Sequence, residues 1–138
     1  MFDECEKKQA DLKQLFNSLK DREAKYNKII ELGRSLKPMA ESAKTDENLV
    51  KGCQSRMFLT AHAENDKIYF EANADALISA GLAALLLHIY NEQPIETILK
   101  CKPTALQEIG IPGLLSPSRS NGLASLFKRM QLEALKFL

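Results

Sequence analysis

One apolar stretch, residues 76–90, restricts the fold of this chain more than any other segment. Leucine, isoleucine and alanine fill most of its positions, so a helix formed here is apolar on nearly every side and must be covered by protein. A bilayer span needs roughly 20 apolar residues, whereas this stretch is shorter and contains Ser79 and His88. We therefore expect a buried central helix. Gly81 within it lowers helix propensity and predicts that another element packs closely there.

Length and charge indicate one domain spanning residues 1–138. The chain has 138 residues, of which 45% are hydrophobic, enough to bury a core. Its net charge of +1 gives no broad electrostatic reason to expect nucleic acid or an anionic membrane as partner. The acidic start, residues 1–6, lacks the basic and apolar regions of a secretory signal, so we expect a cytoplasmic protein.

The first half predicts two helices and a hairpin. Apolar residues at positions 12, 15, 16 and 19 follow one helical face. Ser18 and Asp21 have the spacing of a capping box, which predicts that a second helix starts there. After a loop at 37–48, two apolar runs on either side of residues 64–66 predict an antiparallel hairpin, with a third short strand at 49–51.

The second half predicts the central helix followed by shorter ones. Asn73 or Asp75 is expected to cap the central helix. Pro94 and Pro103 precede two short helices, and a terminal helix carries apolar residues at positions 126, 127, 130, 134 and 137 on one face.

Cys53 is the candidate reactive residue. A thiol is a strong nucleophile as its thiolate, and the cationic neighbours Lys51 and Arg56 are expected to favour that form. Gly52 permits a sharp turn and leaves one side of the sulfur uncovered. The alternative is a small apolar residue near the start of a strand, and spacing alone leaves both open.

The remaining thiols and imidazoles show no further pattern. Cys5, Cys53 and Cys101 are odd in number and widely spread, which favours reduced thiols over a disulfide framework. Together with His62 and His88 they lack paired metal-ligand spacing, so no metal site is expected. Cys101 is interpreted as a half-buried spare thiol, His62 as a solvent-side strand residue and His88 as a packed, hydrogen-bonded one.

Two separated motifs resemble the SufE family of sulfur-acceptor proteins. Residues 52–55, Gly-Cys-Gln-Ser before an apolar strand, are similar to its signature. Residues 115–123, with Ser-Pro-Ser-Arg-Ser and then Gly-Leu, are similar to the segment that opens its last helix. The Asp75-Ala76 helix start also resembles the family, and the likeness runs from about Tyr26 to the end. Leu114 is a departure, since many members have histidine there, so no imidazole-dependent step is carried over to that position.

The resemblance implies a fold and a function. The fold would be α/β (α+β), a two-layer SufE/NifU-like domain with a small antiparallel sheet packed with helices. The function would be that of a non-enzymatic carrier that takes sulfane sulfur from a cysteine desulfurase of the SufS or CsdA type onto Cys53 as a persulfide. It would stimulate the desulfurase and pass sulfur to a SufB-type iron–sulfur scaffold. No cofactor of its own is implied, because pyridoxal phosphate belongs to the partner desulfurase.

Five further residues are assigned supporting or partner-binding roles, namely Gly52, Gln54, Ser55, Asp75 and Arg119. Arg119 either holds the Cys53 loop or a partner carboxylate, or ties the last helix to the core. Asp75 is expected to be a helix cap first and a partner contact second.

Three alternatives remain open. The chain could be a thiol-dependent transferase or protease that uses Cys53 with His62 or His88. It could also be an iron–sulfur scaffold, or a plain interaction module in which Cys53 is incidental. The sequence does not decide between a monomer and a homodimer. For a carrier, we expect Cys53 to turn inward against Met57 and Phe58 and outward when a partner docks.

Overall fold

The computed structural model describes residues 2–138. Two 3₁₀ turns, Glu41–Ala43 and Asp46–Asn48, lie in the loop before the hairpin. The helices and strands of the described chain are, in order, α1 Asp3–Asn17, α2 Arg22–Arg34, β1 Met57–Glu64, β2 Lys67–Ala74, α3 Leu77–Tyr90, α4 Ile95–Lys100, α5 Thr104–Glu108, α6 Ile111–Leu114 and α7 Pro117–Leu135.

Helix α3 is the centre of the fold, as the apolar stretch predicts. It contacts α1, α2, β2 and α7, so protein covers it on several sides. At Gly81 the backbone of α2 approaches so closely that an added Cβ would collide with the carbonyl oxygen of Ile29. A Cβ at Gly33 would in turn lie 2.5 Å from the Gly81 nitrogen. The close packing predicted from Gly81 is therefore confirmed, and the packing element is α2.

The sheet is the predicted antiparallel hairpin, with Met57 opposite Ala74 and Glu64 opposite Lys67. Its turn places Asn65 and Asp66 at φ +53° and +64°, the left-handed values that a tight two-residue hairpin turn requires. The third strand predicted at 49–51 is wrong. That segment makes one isolated bridge to β1, because its 3₁₀ turn ends only at Asn48 and the chain leaves the sheet at residue 51.

The predicted fold class, a mixed domain with a small antiparallel sheet packed with helices, is confirmed. One hydrophobic cluster takes in residues from α1 through α7. Among residues 2–138, no helix combines the length and apolarity needed to cross a bilayer.

Helix starts differ from the sequence prediction in two places. Asp21, not Ser18, caps α2, since its carboxylate accepts a hydrogen bond of 2.8 Å from the Ala24 N–H, while the Ser18 hydroxyl donates back into α1. At α3 the capping position falls on Ala76, which has no side-chain acceptor. Asp75 is therefore one residue too early to cap α3 and is used elsewhere.

Candidate functional site

The loop at 51–55, which carries Cys53, lies between two anchored segments. On its N-terminal side, the Val50 N–H donates to the Met57 carbonyl at 2.8 Å. Arg129 of α7 reinforces this anchor, because its guanidinium donates to the Leu49 carbonyl at 2.9 Å and to the Glu47 carbonyl. Charged donors make stronger hydrogen bonds than neutral ones, so the approach to the loop is held firmly against α7.

The C-terminal anchor is the exchange of two hydrogen bonds between Arg56 and Asp75. The Arg56 N–H donates to the Asp75 carboxylate at 3.1 Å, and the Asp75 N–H donates to the Arg56 carbonyl at 3.2 Å. Asp75, a predicted cap of α3, thus fixes the Arg56 end of the loop instead. Residues 51–55 are therefore the short stretch of chain between the two anchors.

Gly52 sets the direction of the loop. Its φ of +92° lies in the region that favours glycine. An added Cβ would also lie 3.2 Å from the Cβ of Ser125 and collide with its hydroxyl. Glycine is therefore required here both for the backbone conformation and for the close approach of α7.

The Cys53 side chain points inward and is half-buried. Its Sγ–H donates to the Gly122 carbonyl at 3.6 Å. The sulfur borders a small cavity of about 10 Å³, near the minimum that one water molecule needs. The predicted inward wall is half right, since Met57 lines the cavity and Phe58 does not. The lining residues are Cys53, Gln54, Met57, Ser79, Leu82, Ser118, Arg119, Gly122, Leu123 and Leu126.

Burial raises the pKa of the Cys53 thiol above its ordinary value. The expectation that Lys51 and Arg56 favour the thiolate is therefore wrong for this conformation. Both residues are exposed, and the Arg56 guanidinium lies over the Phe58 ring, 5.3 Å from its centroid. Because burial disfavours the charged thiolate, the sulfur stays protonated at neutral pH.

Of three predicted supporting residues, two line the cavity beside this sulfur and Ser55 does not. Arg119 lines the cavity and donates to the Ser79 hydroxyl at 2.8 Å, which ties α7 to α3 beside the sulfur. Gln54 lines the cavity from the loop itself. The Ser55 hydroxyl is buried without a hydrogen-bond partner among the residues that the structure describes.

Neither histidine is brought to the thiol. His62 is exposed on the hairpin, as predicted, and stacks on Tyr69 with ring centroids 5.1 Å apart. His88 is exposed on α3, so the prediction of a packed residue is wrong, although desolvation of its partly covered ring lowers the pKa of His88. Within residues 2–138, no imidazole lines the cavity, and no group of three or more His, Cys, Asp or Glu side chains could hold a metal ion.

Cys53 is the one cysteine of the described chain with a partly exposed side chain. Cys5 is buried, and Cys101 is buried rather than half-buried as predicted. A buried sulfur is out of reach of a large reagent or a binding partner. Of the three thiols, Cys53 is therefore the accessible one.

Sequence reasoning missed the contributions of Ser125 and Arg129. Both come from α7, about 70 to 80 residues after the segments that they contact. The only local signal is the pairing of Arg129 with Glu133 one turn later, at 3.8 Å, and it says nothing about the loop. These residues become visible only when the helix is packed.

Comparison with known proteins identifies the family. The family model SufE, described as an Fe-S metabolism associated domain, matches residues 10–134. SufE-like protein 1, chloroplastic/mitochondrial, from Arabidopsis thaliana is 35% identical over 96% of this chain, which spans 36% of that protein's length. An uncharacterized SufE-like protein of Rhizobium etli is 40% identical, covering 86% of this chain and 84% of its own.

Two further matches agree with it. The cysteine desulfuration protein SufE of Wigglesworthia glossinidia brevipalpis is 34% identical over 86% of this chain and 84% of that protein. The solution structure of a hypothetical protein from Thermus thermophilus superposes with a TM-score of 0.77 over 94% of both chains, at 23% identity, which shows the fold alone. On the family match and the relatives together, the chain belongs to the SufE family.

Proposed function

We propose that this protein is a sulfur carrier whose Cys53 accepts sulfane sulfur from a cysteine desulfurase, of the SufS or CsdA type, and passes it to a SufB-type iron–sulfur scaffold. One observation carries the proposal. The Cys53 thiol lies half-buried beside a cavity of about 10 Å³, on a short loop between two anchors. Such a thiol can be presented to a partner and withdrawn again. Family membership supports the same role.

The transfer is a displacement at sulfur. The Cys53 thiol first loses its proton, and its thiolate attacks the outer sulfur of the persulfide on the donor's cysteine. A bond forms between Cys53 Sγ and that sulfur, the donor's sulfur–sulfur bond breaks, and the donor cysteine leaves as a thiolate. Pyridoxal phosphate stays with the donor, and the carrier needs no cofactor of its own. Relieving the donor of sulfur frees its thiolate for the next turnover, which would stimulate the desulfurase.

The inward conformation is the protected state. Burial raises the pKa of Cys53, so the resting thiol is a poor nucleophile. When the loop turns outward, the sulfur gains solvent and approaches the cationic side chains of Lys51 and Arg56, both of which favour the thiolate. After loading, the inward position shields the outer sulfur from solvent thiols and oxidants.

The cost of turning outward is small. The inward position of Cys53 is held by half-burial of a small side chain and one long hydrogen bond to the Gly122 carbonyl, together worth about 1–2 kcal/mol. Docking of a partner therefore needs to supply only a modest free energy.

Asp75 and Arg119 support the site from either side. Asp75 is exposed, and its carboxylate accepts a hydrogen bond from Arg56 at the end of the loop. A partner cation that pairs with this carboxylate would weaken that hydrogen bond and loosen the anchor. Arg119 keeps the cavity wall in place through Ser79. We assign Asp75 a partner-responsive role and Arg119 a positioning role.

The alternatives receive less support. A thiol-dependent transferase or protease needs an imidazole within hydrogen-bond reach of the sulfur, and His62 and His88 both lie outside the cavity lining. An iron–sulfur scaffold needs several converging ligands, which the described residues do not bring together.

Loading by a desulfurase tests the proposal. The protein is incubated with a pyridoxal-phosphate cysteine desulfurase and free cysteine under anaerobic conditions, and its mass is measured without reductant. We expect one added sulfur atom, located on the tryptic peptide 52–56. Cys53→Ser should abolish the adduct, whereas Cys101→Ser should retain it. Replacing both histidines with alanine should leave loading unchanged.

Two results would contradict the carrier. One is equal transfer of sulfur to a scaffold by the Cys53→Ser variant. The other is loss of loading in the histidine-free variant while its fold is intact, which would favour the transferase.

A further inference from the structure

Two buried cysteines meet between α1 and the link from α4 to α5. Cys5 is 0% exposed and Cys101 is 8% exposed. The Nε2 atom of Gln9 lies 3.6 Å from the Cys5 sulfur and 3.7 Å from the Cys101 sulfur, so one amide nitrogen contacts both thiols. Two buried sulfurs that are far apart in the sequence thus lie against the same amide.

The surrounding hydrogen bonds hold both sulfurs in place. The Gln9 side chain donates to the Lys102 carbonyl at 3.0 Å and accepts from the Ala105 N–H at 2.8 Å. The Tyr90 hydroxyl donates to the Cys101 carbonyl at 2.5 Å. Because Gln9 lies one helical turn after Cys5, the same amide fixes α1 against the segment that carries Cys101.

We propose that Cys5 and Cys101 form an intramolecular disulfide when a low-molecular-weight disulfide, such as glutathione disulfide, accumulates. This oxidation site is separate from Cys53 and does not depend on the carrier function. The family match begins at residue 10, so Cys5 lies outside the part of the chain that the family defines.

The reaction is two successive exchanges. Cys101 is the less covered thiol, and its thiolate attacks the small disulfide, forming a mixed disulfide and releasing one small thiolate. The Cys5 thiolate then attacks the Cys101 sulfur, forming the protein disulfide and releasing the second small thiolate. The two protons from the cysteines pass to the two small thiolates. The protein is oxidised by two electrons and the small disulfide is reduced to two thiols.

Access and closure follow from the position of the pair. Helix α1 has no side-chain cap at its start, so its first turn is a place where the helix frays and lets the oxidant in. Burial above all, together with Cys101, raises the pKa of Cys5 to about 12, which makes the folded pair slow to react and limits oxidation to prolonged exposure. Once a mixed disulfide forms, the neighbouring thiol displaces the small group faster than a second molecule can arrive.

The test uses the Cys53→Ser variant of the full chain, so that the exposed thiol cannot react. It is held with excess glutathione disulfide at pH 8, and its thiols are counted after unfolding. We expect the count to fall from two to zero and the intact mass to fall by two hydrogen atoms. Tryptic peptides 1–7 and 101–119 should be joined, and reductant should separate them. The urea midpoint should rise on oxidation, because the bond closes a loop of most of the chain.

The matched control is the double variant Cys53→Ser, Cys101→Ala, which keeps one thiol. Its peptide map should show no cross-link, and the oxidant should leave its urea midpoint unchanged. Two outcomes overturn the proposal. Either both thiols stay free under oxidant while the fold is intact, or the protein gains the mass of glutathione without a cross-link. Loading of Cys53 by a desulfurase is measured separately, so failure of either proposal leaves the other unaffected.

Discussion

Replacing Gly52 with alanine should push the Cys53 loop out of its inward position. A residue other than glycine at φ +92° costs about 1–2 kcal/mol. The added methyl also meets Ser125 of α7, 3.2 Å from its Cβ and closer to its hydroxyl, and forcing that side chain off its rotamer costs about 1 kcal/mol. The inward conformation therefore loses about 2–3 kcal/mol.

The loss of global stability should be smaller than that, because the loop can escape. The inward position of Cys53 is held by half-burial of a small side chain and one long hydrogen bond to Gly122, together about 1–2 kcal/mol. Because the loop can open at this cost, the substitution cannot lower the free energy of unfolding by more than about 1–2 kcal/mol. The full cost to the inward form shifts the loop equilibrium, so the open form rises from about 3–16% of the molecules to the majority. Cys53 should therefore become several-fold more accessible.

Alkylation and unfolding measure the two quantities independently. The rate of iodoacetamide modification at pH 8 is followed by mass on peptide 52–56, and the free energy of unfolding by urea titration. Gly113→Ala is the matched control, since nothing lies within 4 Å of an added Cβ there, and it should change neither quantity. Adding Ser125→Gly to Gly52→Ala removes the steric part and should restore part of the wild-type rate.

Two patterns would refute this reasoning. If unfolding weakens by the full amount of about 2–3 kcal/mol and alkylation does not accelerate, the loop cannot open without the rest of the domain. If neither quantity changes, the inward conformation does not depend on Gly52.

Three further predictions concern packing, protonation and the loop anchor. Gly81→Ala should lower the free energy of unfolding by about 3 kcal/mol or more, measured in urea, because its methyl collides with the α2 backbone. Since burial raises the pKa of Cys53, alkylation of the native protein should reach half its maximal rate at a higher pH than alkylation of the urea-unfolded chain. An equal or lower midpoint would contradict the burial argument. Arg129→Gln should speed tryptic cleavage after Lys51 several-fold through loss of its carbonyl contacts, and Lys128→Gln, exposed on the same helix, should not.

The fold was predictable where one local pattern decides the structure. Helix α3 follows from its unbroken apolar stretch, and the hairpin follows from alternating runs around Asn65 and Asp66. The start of α1 was not predictable in this way. Its buried face continues from Leu12 back to Gln9 and Cys5, and an amide and a thiol do not register as core residues until a packed partner satisfies them.

The motif at 52–55 predicts Cys53 as the candidate sulfur, because that information is local. The electrostatics of this sulfur are not local. The direction of the Cys53 pKa shift depends on which way the side chain points, and α7 decides that through Gly122 and Ser125. The flanking charges of Lys51 and Arg56 therefore gave the wrong sign.

The loop at 51–55 costs less free energy to displace than the helices that line the cavity. Leu126 and Met130 fix α7 in the core at 0% exposure, and unburying each costs about 1.5–3 kcal/mol. Arg119 adds its hydrogen bond to α3. Turning out residues 51–55 costs about 1–2 kcal/mol, the sum of half-burial and one long hydrogen bond. Movement of residues 51–55 past fixed walls is therefore the least costly way to expose the Cys53 sulfur, and the cavity keeps its shape while the loop moves.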